Sequence, residues 1–110
     1  MIKRGTMVWL DCEMTGLNPF TDRILEIAIL VTTDDLEVLA KPLELVITCE
    51  QSILDQMDEW CTSHHTDSGL VQRVIESKIS TEMAQSLVCN YILECKHRKR
   101  ACQKMEPSDY

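Results

Sequence analysis

Two carboxylates close an apolar run near the start of the chain, and this arrangement restricts the fold more than any other feature. In VWLDCEMTGL, residues 8–17, Asp11 and Glu13 stand two apart behind the bulky apolar residues 7–10. Such a run suits a buried strand, and side chains at i and i+2 of a strand project to one face. Both carboxylates would then leave the strand on the same side. Like charges so placed repel and lose hydration, which is costly unless water or a cation compensates, and a divalent metal is the natural compensation. The turn signal Thr15-Gly16-Leu17-Asn18-Pro19 follows directly, so the pair is expected at the mouth of the strand beside a loop. A bare Asp-x-Glu is common on solvated edge strands, so its context carries the weight.

A second strand is expected over residues 23–31, where Ile24, Leu25, Ile27, Ala28, Ile29 and Leu30 give nearly continuous apolar character suited to burial on both faces. Glu26, its lone charge, reads as a residue at a solvated position, the other reading being a carboxylate that supports the metal pair. After the turn residues Thr33-Asp34-Asp35, a third strand is expected over residues 36–49, broken at Pro42, which cannot donate to a ladder. Three strands joined by short loops favour an antiparallel meander.

From Glu50 the period becomes helical. Ile53, Leu54 and Met57 stripe a first short helix with Trp60 just beyond, and Leu70, Val71, Val74 and Ile75 stripe a second. Ser80 or Thr81 is suited to cap a third, with Ala84, Leu87, Val88, Tyr91, Ile92 and Cys95 at helical spacing. The expected class is α/β (α+β), a three-stranded antiparallel meander followed by helices. Residues 1–95 form one unit, and residues 96–110, where Lys96, Arg98, Lys99, Arg100 and Lys104 gather, form a basic tail expected to be disordered.

At 110 residues, 45% of them hydrophobic, the chain has material for one modest core. A net charge of −7 argues against a long nucleic-acid groove or a duplex DNA partner, because affinity for a polyanion rests on many Lys or Arg contacts to phosphates. A very short nucleic acid held through metals escapes that objection. No secretory signal peptide is visible and Cys12 lies between the two carboxylates, so the six cysteines are expected as reduced intracellular thiols. A zinc site drawn from Cys61 with His64 or His65, plus Cys95, His97 and Cys102, lacks the Cys-x-x-Cys pair that would support it. No apolar run has membrane-spanning length, which points to a soluble chain.

The segment LDCEMTGLNPFTDRILEIAILVTT, residues 10–33, resembles the first motif and second strand of the DEDD superfamily of 3′-to-5′ exonucleases, within which the oligoribonuclease family is the nearest likeness. LDQMDEWC, residues 54–61, and HHTDSGLVQRV, residues 64–74, follow in that family's order. The likeness fades after about Glu94. It implies a ribonuclease H-like fold of which this chain holds the N-terminal half, and a 3′-to-5′ exoribonuclease that degrades very short RNA, down to dinucleotides, by two-metal phosphodiester hydrolysis. It also implies Mg²⁺ or Mn²⁺, a homodimer, and a cytoplasmic or mitochondrial location.

By the same resemblance Asp11 bridges both ions and Glu13 ligates one. Leu17 matches an apolar wedge between the two bases, Trp60 and His65 match aromatic residues that close over them, and Ser68 matches a substrate contact. Read without the family, Leu17 is a turn-flanking core leucine, Trp60 a core filler, His65 a satisfied loop histidine, and Ser68 first an N-cap of the next helix. The family's second motif adds a metal-binding Asp, and its third adds a His general base and a last Asp. Neither stands here, since His97 sits in a basic cluster with no Asp a few residues on and Asp109 follows no apolar strand. The competing expectation is a catalytically inactive fragment that acts through protein interaction.

Overall fold

A computed structural model describes the backbone of residues 5–104 and the side chains of residues 5–97. Three strands, β1 (Thr6–Met14), β2 (Ile24–Thr33) and β3 (Leu43–Val46), form one antiparallel sheet in the order β1-β2-β3. The meander expected from the sequence is therefore present, with β2 in the centre. β3 is shorter than expected, because the chain before Pro42 pairs with the sheet through one isolated bridge, Thr32 with Val38, and otherwise packs on it through Leu39 and Ala40. Leu36 in that stretch has a positive φ of 68°. Among the described residues four helices follow where three were expected, because the first ends before Met57 and Trp60 belongs to another: α1 (Gln51–Leu54), α2 (Glu59–Asp67), α3 (Leu70–Glu76) and α4 (Thr81–Lys104).

The register Trp9↔Leu30, Asp11↔Ala28 and Glu13↔Glu26 places these six residues on one face of the sheet, since alternate residues share a face. Val8, Leu10 and Cys12 share the opposite face with Val31, Ile29 and Ile27. That second face receives α4, whose Val88, Tyr91 and Cys95 pack on Ile27, Ile29, Val31 and Leu43. A neighbouring cluster joins Ala84 of α4 to Leu45 and Ile47. At the other end of the sheet Leu25, fully buried, is enclosed by Leu54, Leu70 and Val74. Ser77 donates from Oγ to the carbonyl of Val46 (2.6 Å), which ties the end of α3 to β3.

Burial on both faces of β2 is confined to its last residues, where Thr32 is buried and accepts from Trp9 Nε1 (3.1 Å). Ile29 and Val31 are buried while Ala28 and Leu30 are only partly so, because the helices described cover one face of the sheet's middle. β1 departs further from its expected burial. Val8 is 53% and Leu10 60% exposed, because α4 lies over β2 and β3 and does not reach the outer strand.

Ser80 caps α4 by accepting at Oγ from the Met83 amide (3.1 Å), as its sequence position suggests. The helix does not stop at residue 95. Its backbone continues through Lys104, so residues 96–104 of the expected tail are helical; no Gly or Pro stands between Ser80 and Pro107 to interrupt them. Residues 105–110 lie outside the described part. Among the described residues no helix is long and apolar enough to cross a membrane.

Candidate metal and nucleotide site at the end of the first strand

Asp11 and Glu13 fall within the last four residues of β1, on the face turned away from α4. Asp11 is exposed and Glu13 intermediate. A break in the β1–β2 register between Glu13 and Met14 follows them at once, and such irregularities re-aim side chains at the rim of a sheet. A shallow trough on this face is lined in part by Trp9, Asp11, Ala28, Leu30 and Pro42. Cys12, between the carboxylates, projects to the opposite face; burial first, then the Asp11 and Glu13 charges, push its thiol pKa up. Cys12, Cys49, Cys61, Cys89 and Cys95 are free thiols.

The loop after β1 is built around Asp22, which the sequence did not single out. Its carboxylate accepts from Thr15 Oγ1 (2.9 Å) and from the Asn18 amide (2.8 Å). Thr15 Oγ1 in turn accepts from the Arg23 amide (2.9 Å), and Asn18 Oδ1 accepts from the Phe20 amide (2.9 Å). Gly16 is required by this packing, since a Cβ there would stand 2.5 Å from Asp22 Oδ2. So pinned, the loop holds Leu17 and Phe20 out in solvent, at 91% and 94% exposure. Leu17 is thus no core leucine; a loop this short, drawn inward by its polar residues, turns its apolar ones outward.

Trp60 is 68% exposed and is not a core filler. It sits inside α2, one residue past the helix start, where Asp58 caps the helix by accepting at Oδ1 from the Cys61 amide (2.7 Å). His64, one turn on, stacks on Trp60 with ring centroids 4.8 Å apart and planes 10° from parallel. His65 belongs to the helix rather than to a loop and is buried, at 1% exposure. Its ring is enclosed, not offered to solvent. The Nε2–H donates to the Met14 carbonyl (2.7 Å), a bond that joins α2 to the end of β1 across 51 residues of sequence. Nδ1 then faces Glu13 Oε2 at 4.0 Å, beyond hydrogen-bond reach.

Ser68 does not cap the next helix. It ends α2, and its Oγ donates to the His65 carbonyl (3.2 Å), while Gly69 at φ 82° takes the left-handed turn into α3 that a side chain would strain. Glu26 is not simply solvated, for Arg73 of α3 donates to its Oε2 at 2.8 Å. Sequence reasoning passed over Asp58 and Asp22, and weighed His64 only as an alternative to His65. Asp58 could have been found as a helix-capping residue before Glu59-Trp60, and Asp22 as a turn residue; the contact of His64 with Trp60 is an i, i+4 pair.

The structure therefore brings Glu13, His64 and His65 together, with one ligand atom from each lying within 4.8 Å of the others. Among the described residues, Asp11 belongs to no such group of three. Two carboxylates offer hard oxygen donors of the kind Mg²⁺ or Mn²⁺ takes, but they do not by themselves fill two six-coordinate shells.

Residues 8–98 match the exonuclease family RNase T. An oligoribonuclease of Alcanivorax borkumensis is 49% identical over 84 residues, which cover 76% of this chain and 46% of that protein. An oligoribonuclease of Ruthia magnifica is 42% identical over 97 residues, covering 88% and 54%, and one of Chromobacterium violaceum 44% identical over 90 residues, covering 82% and 50%. The chain spans about half the length of the curated relatives it matches.

Proposed function

This chain belongs to the RNase T exonuclease family, and on that premise we propose that it serves a 3′-to-5′ exoribonuclease acting on very short RNA, with Asp11 and Glu13 as divalent-metal ligands. The observation that carries the reading is the position of the two carboxylates, neighbours on one face at the end of β1, directly before the loop that exposes Leu17. Phosphodiester hydrolysis of this class draws on metal ions to activate water and to stabilise the leaving 3′ oxygen. The described donors are too few to hold two such ions, so further oxygen ligands and a general base are needed beside them.

What these residues contribute is binding and orientation. Leu17 and Trp60 present apolar surface to solvent, and contact of this kind with base faces is tolerant of sequence, as an enzyme that accepts any short RNA requires. His65 holds α2, and with it Trp60, against the end of β1, and Ser68 closes the same helix. A short oligonucleotide carries few phosphates, which suits a chain of net charge −7. Either Mg²⁺ or Mn²⁺, a homodimer, and a cytoplasmic or mitochondrial setting complete this reading.

The test is hydrolysis of a 5′-labelled diribonucleotide in Mn²⁺ by a protein that joins this chain to the second half of one of its relatives. Hydrolysis is expected, and Asp11→Ala should lower it by several powers of ten, since loss of a shared ligand removes both metal roles. Undiminished hydrolysis in the Asp11→Ala protein overturns the assignment.

A further inference from the structure

We propose that Glu13, His64 and His65 form a binding site for a borderline-soft divalent cation of the Zn²⁺ type, with a ligand set distinct from the Asp11 and Glu13 pair. The site shares Glu13 but not Asp11 with the proposed exonuclease ligands, and it is tested by binding rather than by hydrolysis. The first observation is the proximity of one donor atom from each residue, all within 4.8 Å. The second and independent one is the state of His65. Its side chain is 2% exposed, and Nδ1 is buried with no hydrogen-bond partner. A buried polar atom without a partner is costly, and native proteins rarely keep one without a use.

The Met14 carbonyl only accepts, so the hydrogen in the 2.7 Å contact resides on Nε2. In the neutral ring this leaves the lone pair on Nδ1, directed toward the Glu13 carboxylate at 4.0 Å. Metal-ligating histidines are commonly arranged in this way, with one ring nitrogen donating to a backbone carbonyl so that the other is fixed and more basic. The bond also sets His65 on two rigid elements at once, the helix α2 and the strand β1.

Consecutive residues of a helix diverge by about 100°, so two neighbouring imidazoles seldom serve one ion. Here they converge: the rings of His64 and His65 stand edge to face with centroids 5.5 Å apart. Ligands of a tetrahedral ion, each at about 2.0–2.1 Å, lie about 3.4 Å from one another. Closing the present gaps to that spacing asks for a side-chain rotation of His64, which is exposed, and of Glu13, which is partly so. Two imidazoles with one carboxylate suit Zn²⁺, Co²⁺ or Ni²⁺ far better than Mg²⁺, whose ligands are oxygens. Three protein ligands leave a fourth position for water.

The experiment is titration of the 110-residue chain with Zn²⁺ under reducing conditions, followed by calorimetry and by the ¹⁵N shifts of the histidine side chains. One equivalent of Zn²⁺ should move His65 Nδ1 and one nitrogen of His64. His64→Ala and Glu13→Gln should each weaken binding at least about tenfold, while Asp11→Asn leaves it unchanged. His64→Ala is the decisive variant, because the exposed His64 can be replaced without disturbing the buried anchor that His65→Ala would remove. Unmoved histidine shifts in excess Zn²⁺ overturn the proposal. So does weakening by Asp11→Asn with none by His64→Ala, which would put the ion on the carboxylate pair, or weakening confined to Cys61→Ser.

Discussion

The sheet has one half held by apolar packing and one end held by directed polar bonds. Where α4 packs on the sheet, Ile29, Val31 and Leu45 of the strands and Tyr91 of the helix are each buried to 9% exposure or less. At the end of β1 the organising contacts are Asp22 to Thr15 and Asn18, Asp58 to Cys61, and His65 to Met14. Apolar packing is non-directional and tolerates small shifts, whereas hydrogen bonds fix angles. The candidate chemistry lies at the end built from the second kind of contact. There Leu17, Phe20 and Trp60 are turned to solvent, above the buried cluster of Leu25, Leu54, Leu70 and Val74.

The largest expected effect separates the two regions by activity. The chain by itself should not measurably hydrolyse a 5′-labelled diribonucleotide in Mn²⁺, whereas the version carrying the second half of a relative should, a difference of several powers of ten. Thermal stability should hardly register Asp11→Ala, since the side chain is exposed on an edge strand. Robust turnover by the chain alone that Asp11→Ala abolishes would mean that other residues of the loops or of the basic C-terminal segment supply the missing ligands.

Stability should respond in the opposite pattern. Leu25 is fully buried between β2 and the short helices, and Leu25→Ala should cost about 3 kcal/mol in equilibrium urea unfolding. A loss below about 1 kcal/mol would mean that this end of the core is already loose. Next in size is the loop: Asp22→Ala removes the acceptor of two hydrogen bonds and should cost about 2 kcal/mol, with increased amide exchange at Asn18 as the local signature. Gly16→Ala should act in the same direction by driving a methyl group into Asp22.

The smallest effect on stability is expected at Val8 and Leu10. Both lie on the α4 side of the sheet but beyond the reach of that helix, so Val8→Ser with Leu10→Ser should change the unfolding free energy by about 0.5 kcal/mol or less. The same double variant should reduce self-association seen by sedimentation, because a nine-residue edge strand with exposed apolar residues is a template for pairing. A wild-type chain that stays monomeric at high concentration would show that this edge is better protected than its exposure suggests.

Features with a local period are legible in the amino-acid sequence by itself. Strand alternation is enough to put Asp11 and Glu13 on one face, and helical spacing marks the stripe of α4, of which Ala84, Val88, Tyr91 and Cys95 pack on the sheet while Leu87 and Ile92 stay exposed. The antiparallel order follows from short connections, and the exonuclease likeness follows from residues 10–33. None of these needs information from more than a few turns or one hairpin away.

Burial and partnership required the tertiary structure. Val8 and Val31 are the same residue type, paired across adjacent strands, yet one is exposed and the other is core, because α4 covers only β2 and β3. Leu17 and Trp60 carry no mark that separates a solvent-facing residue from a core one, and Ser68 none that separates a helix end from a helix start. His65 gained its meaning from a carbonyl 51 residues away and from the carboxylate of Glu13 beside it. Sequence periodicity sets which way a side chain points from its own element; what stands opposite depends on how separate elements meet, and that is decided only when the chain has folded.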